Sequence, residues 1–237
     1  MGKGRLIVLE SLDAGGKSTQ VKYLHDYFKQ KGLSSTDYHF PMYGQNEFAD
    51  IISMYLRGEF GDLSEVNPYF ISNAYAMDRF MFKDSLEKAL LQYDYVILDR
   101  YVMSNMAFQA AKYKNWEDGI KLAKWINTFE YDFLGLHKPY QTIFLDCHID
   151  AINERLNKRS VTKDKDYLQG MQKDIHESDM AYQSKVRDYY LHFSYTTEDT
   201  IKVKTFNVVY DKHMTNINNL GQPEIFNKIK DILEIIL

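Results

Sequence analysis

The stretch Glu10 to Gln20, ESLDAGGKSTQ, constrains this chain most, because it sits directly behind a short apolar run. Arg5 to Glu10 (RLIVLE) is rich in strand formers. Lys17 to Gly32 sets Val21, Leu24 and Phe28 at the three- and four-residue spacing of a helix face, with Gly32 as its stop. Strand, glycine turn and helix, in that order, aim backbone amides and a helix N-terminus at one anion. The spacing G-x-x-x-x-G-K-[ST] is met at Gly16, Lys17 and Ser18, with Ser11 where the leading glycine is usual. In such a loop the amides from Asp13 through Ala14, Gly15 and Gly16 to Ser18 wrap a phosphate, and Thr19 completes the first turn. Lys17 then reaches the outer phosphates of ATP and Ser18 ligates Mg²⁺. The absence of G-x-G-x-x-G disfavours a dinucleotide fold.

Further strands are expected at Asp37 to Phe40, Tyr95 to Leu98, Gln141 to Leu145 and Thr205 to Val209. Helices are expected at Glu47 to Tyr55, Asn67 to Leu91, Met103 to Lys112, Trp116 to Leu134, Ala151 to Arg159, Asp174 to Phe193 and Pro223 to Leu237. Thr196 to Lys204 carries no firm pattern. Five strands alternating with helices describe an α/β chain, a three-layer α/β/α P-loop fold around a five-stranded parallel sheet. The polar, Gly170-bearing segment Val161 to Gln172 is expected to be a mobile loop.

At 237 residues the chain is long enough for one large domain, and no linker or repeat divides it, so 1–237 is expected to be a single domain. A formal net charge of -4 gives no electrostatic footprint for a nucleic-acid backbone, while leaving room for a local basic pocket. Cys147 is the one cysteine, which fits a reducing compartment. The first apolar run is too short and too acidic for a leader or a membrane span. The expectation is a cytoplasmic chain with a small phosphorylated ligand and neither a membrane nor a nucleic-acid partner.

Other residues carry possible chemistry. Asp99-Arg100 falls at the carboxyl end of an expected buried strand, where open α/β sheets place ligands. A carboxylate there can organise a metal's water or the acceptor, and a guanidinium can clamp a phosphate. Tyr75 and Arg79 share a helix face, so they suit either a stacked base with its phosphate or a core tyrosine with a rim arginine. Arg155, Arg159 and Lys163 approach the polar loop, as charge over a migrating phosphoryl group or as a solvated run. The seven histidines show no tight metal-ligand spacing, and Cys147 has no nucleophile context.

Together these segments resemble the thymidylate kinases, within the nucleoside monophosphate kinase group. The resemblance runs from Arg5 to about Tyr190. It is carried by LIVLESLDAGGKSTQ, by Phe40-Pro41, by Tyr75 and Arg79, and most specifically by Asp99-Arg100-Tyr101 as the D-R-[YH] motif. It implies ATP and Mg²⁺ as cofactors, with Ser18 and Asp99 toward the metal and Asp13 near the acceptor's 3′-hydroxyl and the transferring phosphate. It implies Phe40 and Pro41 on the substrate side, Tyr75 stacked on thymine, Arg79 and Arg100 on the acceptor phosphate, and Ser104 and Gln109 near the base. A helical lid at about 155–173 would supply the catalytic arginine, Arg159 first and Arg155 second, because Ala14 follows Asp13. Tyr182 would approach the substrate from the helix after the lid. The implied reaction is direct in-line phosphorylation of dTMP to dTDP, by a homodimer. A kinase for another deoxynucleoside monophosphate or a deoxynucleoside, and a non-catalytic nucleotide-binding regulator, remain the alternatives.

Overall fold

A computed structural model describes residues 4–158, 163–170, 174–210 and 215–236. Its main sheet holds β1 (Arg5–Ser11), β2 (Ser35–His39), β3 (Tyr95–Asp99), β4 (Gln141–Asp146) and β5 (Thr200–Lys204). The order is β2-β3-β1-β4-β5 and every pairing is parallel. Strand alternation divides β1 between two cores. Leu6 and Val8 join one core with Leu98, Val102 and Leu122, while Ile7 and Leu9 join another with Leu24, Phe28, Ile225 and Ile229. Helices α1 (Lys17–Gln30) and α9 (Gln222–Ile236) supply the second core. Helices α5 (Val102–Ala110), α6 (Trp116–Asn127) and α8 (Met180–Thr196) cover the opposite face. The fold is the expected α/β/α sandwich on a five-stranded parallel sheet. No helix among the described residues is long and apolar enough to cross a membrane.

Between β2 and β3 the chain forms α2 (Glu47–Leu56), α3 (Pro68–Met81) and α4 (Lys83–Gln92), where the sequence pattern predicts a single helix after Asn67. The last sheet strand also differs from expectation, being Thr200–Lys204 rather than Thr205 to Val209. The register explains it: β4 ends at Asp146, opposite Lys204, and Thr205 donates its amide to the Asp146 carbonyl. Among the described residues no strand of the main sheet pairs beyond that point, and β6 (Phe206–Tyr210) pairs antiparallel with β7 (Thr215–Asn219) as a separate hairpin.

Two further departures bear on the site. The helix expected to run from Trp116 to Leu134 stops at Asn127 and widens into a π-type turn over Thr128–Phe133, which contains the buried Glu130. Such widened turns re-aim side chains and recur at functional sites. After α7 (Ile149–Lys158), part of the polar segment expected to be a loop forms a short 3₁₀ turn, Lys163–Leu168. Asp174 to Ser178 is an irregular turn, and α8 begins only at Met180, capped by the Asp179 side chain on the Tyr182 amide.

Candidate active site

The carboxyl ends of β1 and β3 lie side by side, Leu9 opposite Asp99, so the loops that follow them share one edge of the sheet. The first loop is shaped by close approach. Gly16 adopts φ 97, which costs glycine little. A Cβ on Gly15 would lie 1.6 Å from the Ser11 hydroxyl and 3.0 Å from the Leu12 carbonyl. Ser11 itself is fully buried, 3.9 Å from the Cys147 sulfur, so its hydroxyl is packed under the loop. Helix α1 starts without a side-chain cap. Among the described residues, no protein acceptor takes the amides of Gly16, Lys17 or Ser18. This is the donor set an anion needs. The Lys17 ammonium stands 3.4 Å from the Leu12 carbonyl and 3.7 Å from Asp99. Burial and then Arg100 lower its pKa, while Asp99 and Asp13 oppose them.

Arg100, just past β3, holds φ 71, a costly conformation for a side chain with a Cβ. Its Nη2 donates to Asp13 at 2.6 Å, tying the second loop to the first. Burial works against the Asp13 carboxylate, but Arg100 and Lys17 outweigh it and hold its pKa at about 2. Burial likewise works against the Arg100 charge, and Asp13, together with Tyr190, Asp99 and Glu10, more than restores it.

Asp13 and Arg100 open onto a cleft with about 490 Å³ of free space. Phe40, Pro41, Tyr75, Arg79, Ser104 and Gln109, the residues that the resemblance puts on the substrate side, are brought together along its wall. The Phe40-Pro41 peptide is cis, and the next residue, Met42, donates its amide to Asp78 of α3 at 3.1 Å. Arg79 is not a free cation. Its Nε and Nη2 donate to the two oxygens of Glu130 at 2.6 and 2.7 Å, with both side chains buried. Asn105 donates to the same carboxylate at 2.8 Å and to the Ser72 carbonyl at 3.0 Å, while its Oδ1 is buried with no partner among the described residues. Both polar atoms of the Gln109 amide are also buried, with no partner among the described residues.

The opposite wall comes from beyond α7. Tyr167, on the 3₁₀ turn, stacks on Tyr43 at 4.1 Å between centroids, and its hydroxyl donates to Asp174 at 3.2 Å. Arg57 Nη1 fixes the Tyr167 carbonyl at 2.6 Å. His176 stacks on Phe108 and meets the Tyr55 hydroxyl at 2.9 Å. Burial, with Lys112 adding to it, lowers the His176 pKa to about 3, so the ring is neutral at physiological pH.

Not every expected residue reaches the cleft. Asp99 faces Lys17 and is absent from the cleft wall. Tyr182 sits behind the wall, because its hydroxyl donates to the Phe108 carbonyl at 2.6 Å and its ring packs against His176. Arg155 is aimed at the phosphate loop, its Nη1 3.3 Å from the Ala14 carbonyl. Arg159 lies outside the described residues. Sequence reasoning missed Asn105, Phe108, Glu130, Tyr167 and His176. Asn105 falls four residues before Gln109, one turn along the same helix face, and that spacing was the available signal.

The family model described as Thymidylate kinase matches residues 9–208. The chain belongs to the thymidylate kinase family. Thymidylate kinase of Mycobacterium tuberculosis (strain H37Rv) is 37% identical over 155 residues, covering 65% of this chain and 72% of that protein. The Arabidopsis thaliana thymidylate kinase is 28% identical over 188 residues, covering 79% of this chain and 60% of that protein. The solved thymidylate kinase of Candida albicans superposes with a TM-score of 0.69 at 23% identity, over 99% of this chain and 93% of that one. This likeness shows the shared fold. The chain is thus a thymidylate kinase-like enzyme of the P-loop nucleoside monophosphate kinase group, with a small nucleotide as substrate.

Proposed function

We propose that this enzyme moves the γ-phosphoryl group of ATP directly onto the 5′-phosphate of dTMP, releasing ADP and dTDP. A phosphate oxygen of the acceptor attacks the γ-phosphorus in line as the bond to the ADP oxygen breaks. That oxygen is ionised at neutral pH, so no general base is needed. The observation that carries the reading is one continuous cleft, with Asp13 and Arg100 at the phosphate loop and Arg79, Asn105 and Gln109 elsewhere on its wall.

The donor nucleotide fits the loop formed by Ser11, Ala14, Gly15, Gly16, Lys17, Ser18 and Thr19, where open amides and the Lys17 ammonium meet phosphate oxygens. Ser18 and Asp99 suit Mg²⁺ as hard oxygen donors beside that loop, with water and phosphate filling the other positions. When bound, the ion offsets charge on the phosphates. Arg155 is the described lid arginine poised over the loop, with Arg159 the alternative.

At the base end, Glu130 neutralises Arg79, which makes Arg79 a reader of the base edge rather than a phosphate clamp. Asn105 is oriented by its two donated bonds so that Oδ1 is left as an acceptor. Thymine offers an N3–H to that oxygen and a carbonyl to the remaining Arg79 donors, whereas cytosine offers a ring acceptor at N3. Asp13 and Arg100 then hold the sugar and phosphate end, and Tyr75 and Phe108 flank the ring.

We infer one kinase domain over 1–237, with the lid at about 155–173, in a cytoplasmic homodimer. Phe70 (65% exposed) and Met81 (54%) on α3, with Phe133 (77%) beyond α6, supply apolar surface for a second copy. The test is ADP release from Mg-ATP with dTMP, dUMP, dCMP, dGMP and thymidine. Turnover fastest with dTMP is the expected result. Preference for thymidine or for a purine monophosphate would overturn the acceptor assignment.

A further inference from the structure

Glu10, the penultimate residue of β1, is fully buried and lies outside the cleft wall. A carboxylate in the interior is tolerated only with its oxygens satisfied. Glu10 meets that demand from α5, with its N-cap residue Tyr101, and from α8. Its Oε1 accepts the amides of Tyr101 at 2.9 Å and Ser104 at 3.2 Å, and its Oε2 accepts the hydroxyls of Ser104 at 2.6 Å and Tyr190 at 2.9 Å. Helix α5 has no side-chain cap of its own at Tyr101. The acceptor that caps it arrives from another strand, and a negative group there also complements the helix dipole.

The residue directly before this cap is Arg100, in its left-handed conformation. Its amide is fixed by the Leu9 carbonyl at 3.0 Å, and the following amide, Tyr101, by Glu10. The peptides on both sides of the strained Cα are therefore held by consecutive residues of β1. The side chain is held through the same hub, since Arg100 Nη1 donates to Ser104 Oγ at 3.1 Å while Ser104 donates to Glu10. Without the Glu10 acceptors, relaxation of Arg100 toward negative φ would swing its guanidinium away from Asp13.

We propose that Glu10 is a positioning residue that holds Arg100 on the acceptor side, so that the strand ending in the ATP loop also sets the acceptor clamp. The proposal rests on Arg100 contacting the acceptor phosphate. Glu10→Gln keeps the shape and can still accept from the two amides, but it loses the charge and turns an NH₂ toward the hydroxyls.

The experiment is a double-mutant cycle of Glu10→Gln and Arg100→Met, read by calorimetric titration of dTMP and of Mg-ATP, with unfolding curves for each variant. Glu10→Gln is expected to weaken dTMP binding about tenfold or more, with Mg-ATP affinity within about twofold of the parent. In the Arg100→Met background the same change should cost dTMP binding nothing further. An equal loss in both backgrounds, or a parallel loss of both ligands, overturns the proposal. If Glu10→Gln does not fold, Glu10→Asp, which keeps the charge but shortens the reach to the Tyr101 and Ser104 amides, must show the same dependence on Arg100. Failure of the parent enzyme to bind dTMP would instead count against the acceptor reading itself.

Discussion

Glu130 holds Arg79 by two parallel hydrogen bonds of 2.6 and 2.7 Å, and neither side chain reaches solvent. Removing one partner of such a pair strands the other charge in the interior, which costs far more than the net worth of the pair. Glu130→Gln should therefore lower unfolding stability by about 3–5 kcal/mol and raise the KM for dTMP, because Arg79 and Asn105 lose a shared anchor. Urea unfolding with parallel kinetics measures both. A loss below about 1 kcal/mol would mean that Arg79 swings to water and is not held by Glu130.

Asn105 bears on selectivity more than on stability. Its Oδ1 is buried with no partner among the described residues, so a base N–H that reaches it satisfies an acceptor otherwise left unpaired. Asn105→Ala should reduce kcat/KM for dTMP about ten- to a hundredfold and shrink the preference over dCMP by a similar factor. Competition assays with the two nucleotides measure the ratio directly. An unchanged ratio would place base recognition elsewhere.

Much of this arrangement was legible in the sequence, for identifiable reasons. The phosphate loop and Asp99-Arg100 are local patterns, each a strand end followed by a turn, and neighbouring residues dictate them. Their adjacency follows once β1 and β3 pair in parallel. Glu130 was not legible because its position depends on a helix widening at Thr128, which a helical hydrophobic period does not signal. Its pairing with Arg79 was not legible either, because Arg79 lies 51 residues away on another element. The hairpin at Phe206 was hidden because FNVVY is as good a sheet strand as TIKVK. Only the end of β4 decides which of them joins the sheet.

Lys17 and Arg155 should separate by kinetic signature. Lys17→Met removes a donor that would contact ATP before and during transfer, so turnover should fall by at least about a hundredfold and ATP binding should weaken as well. Arg155→Ala should lower kcat by about a thousandfold or more while leaving the Kd of both nucleotides nearly unchanged, since its proposed charge acts on the migrating group. Single-turnover rates and equilibrium titrations distinguish the two. Retention of most of kcat in Arg155→Ala would move the lid arginine to Arg159.

Lys112 makes a prediction about pH. Its ammonium lies 4.4 Å from the Tyr55 ring centroid, buried, with no hydrogen-bond partner among the described residues, and faces the neutral His176. Burial lowers its pKa to about 7, against an ordinary lysine value of 10.5 in the unfolded chain. Below pH 7 both states carry the proton, and the folded chain bears the full cost of a buried charge. Between about pH 7 and 10.5 the folded state sheds that proton while the unfolded state keeps it, so stability rises with pH across that window. Lys112→Met should accordingly stabilise the protein by about 1–3 kcal/mol at pH 6, with the gain shrinking toward pH 10. Thermal unfolding at pH 6, 7.5 and 9 measures the trend. A gain that does not change with pH would show that Lys112 titrates like a surface lysine. A loss at every pH would show that its contact with Tyr55 is a net stabilising one.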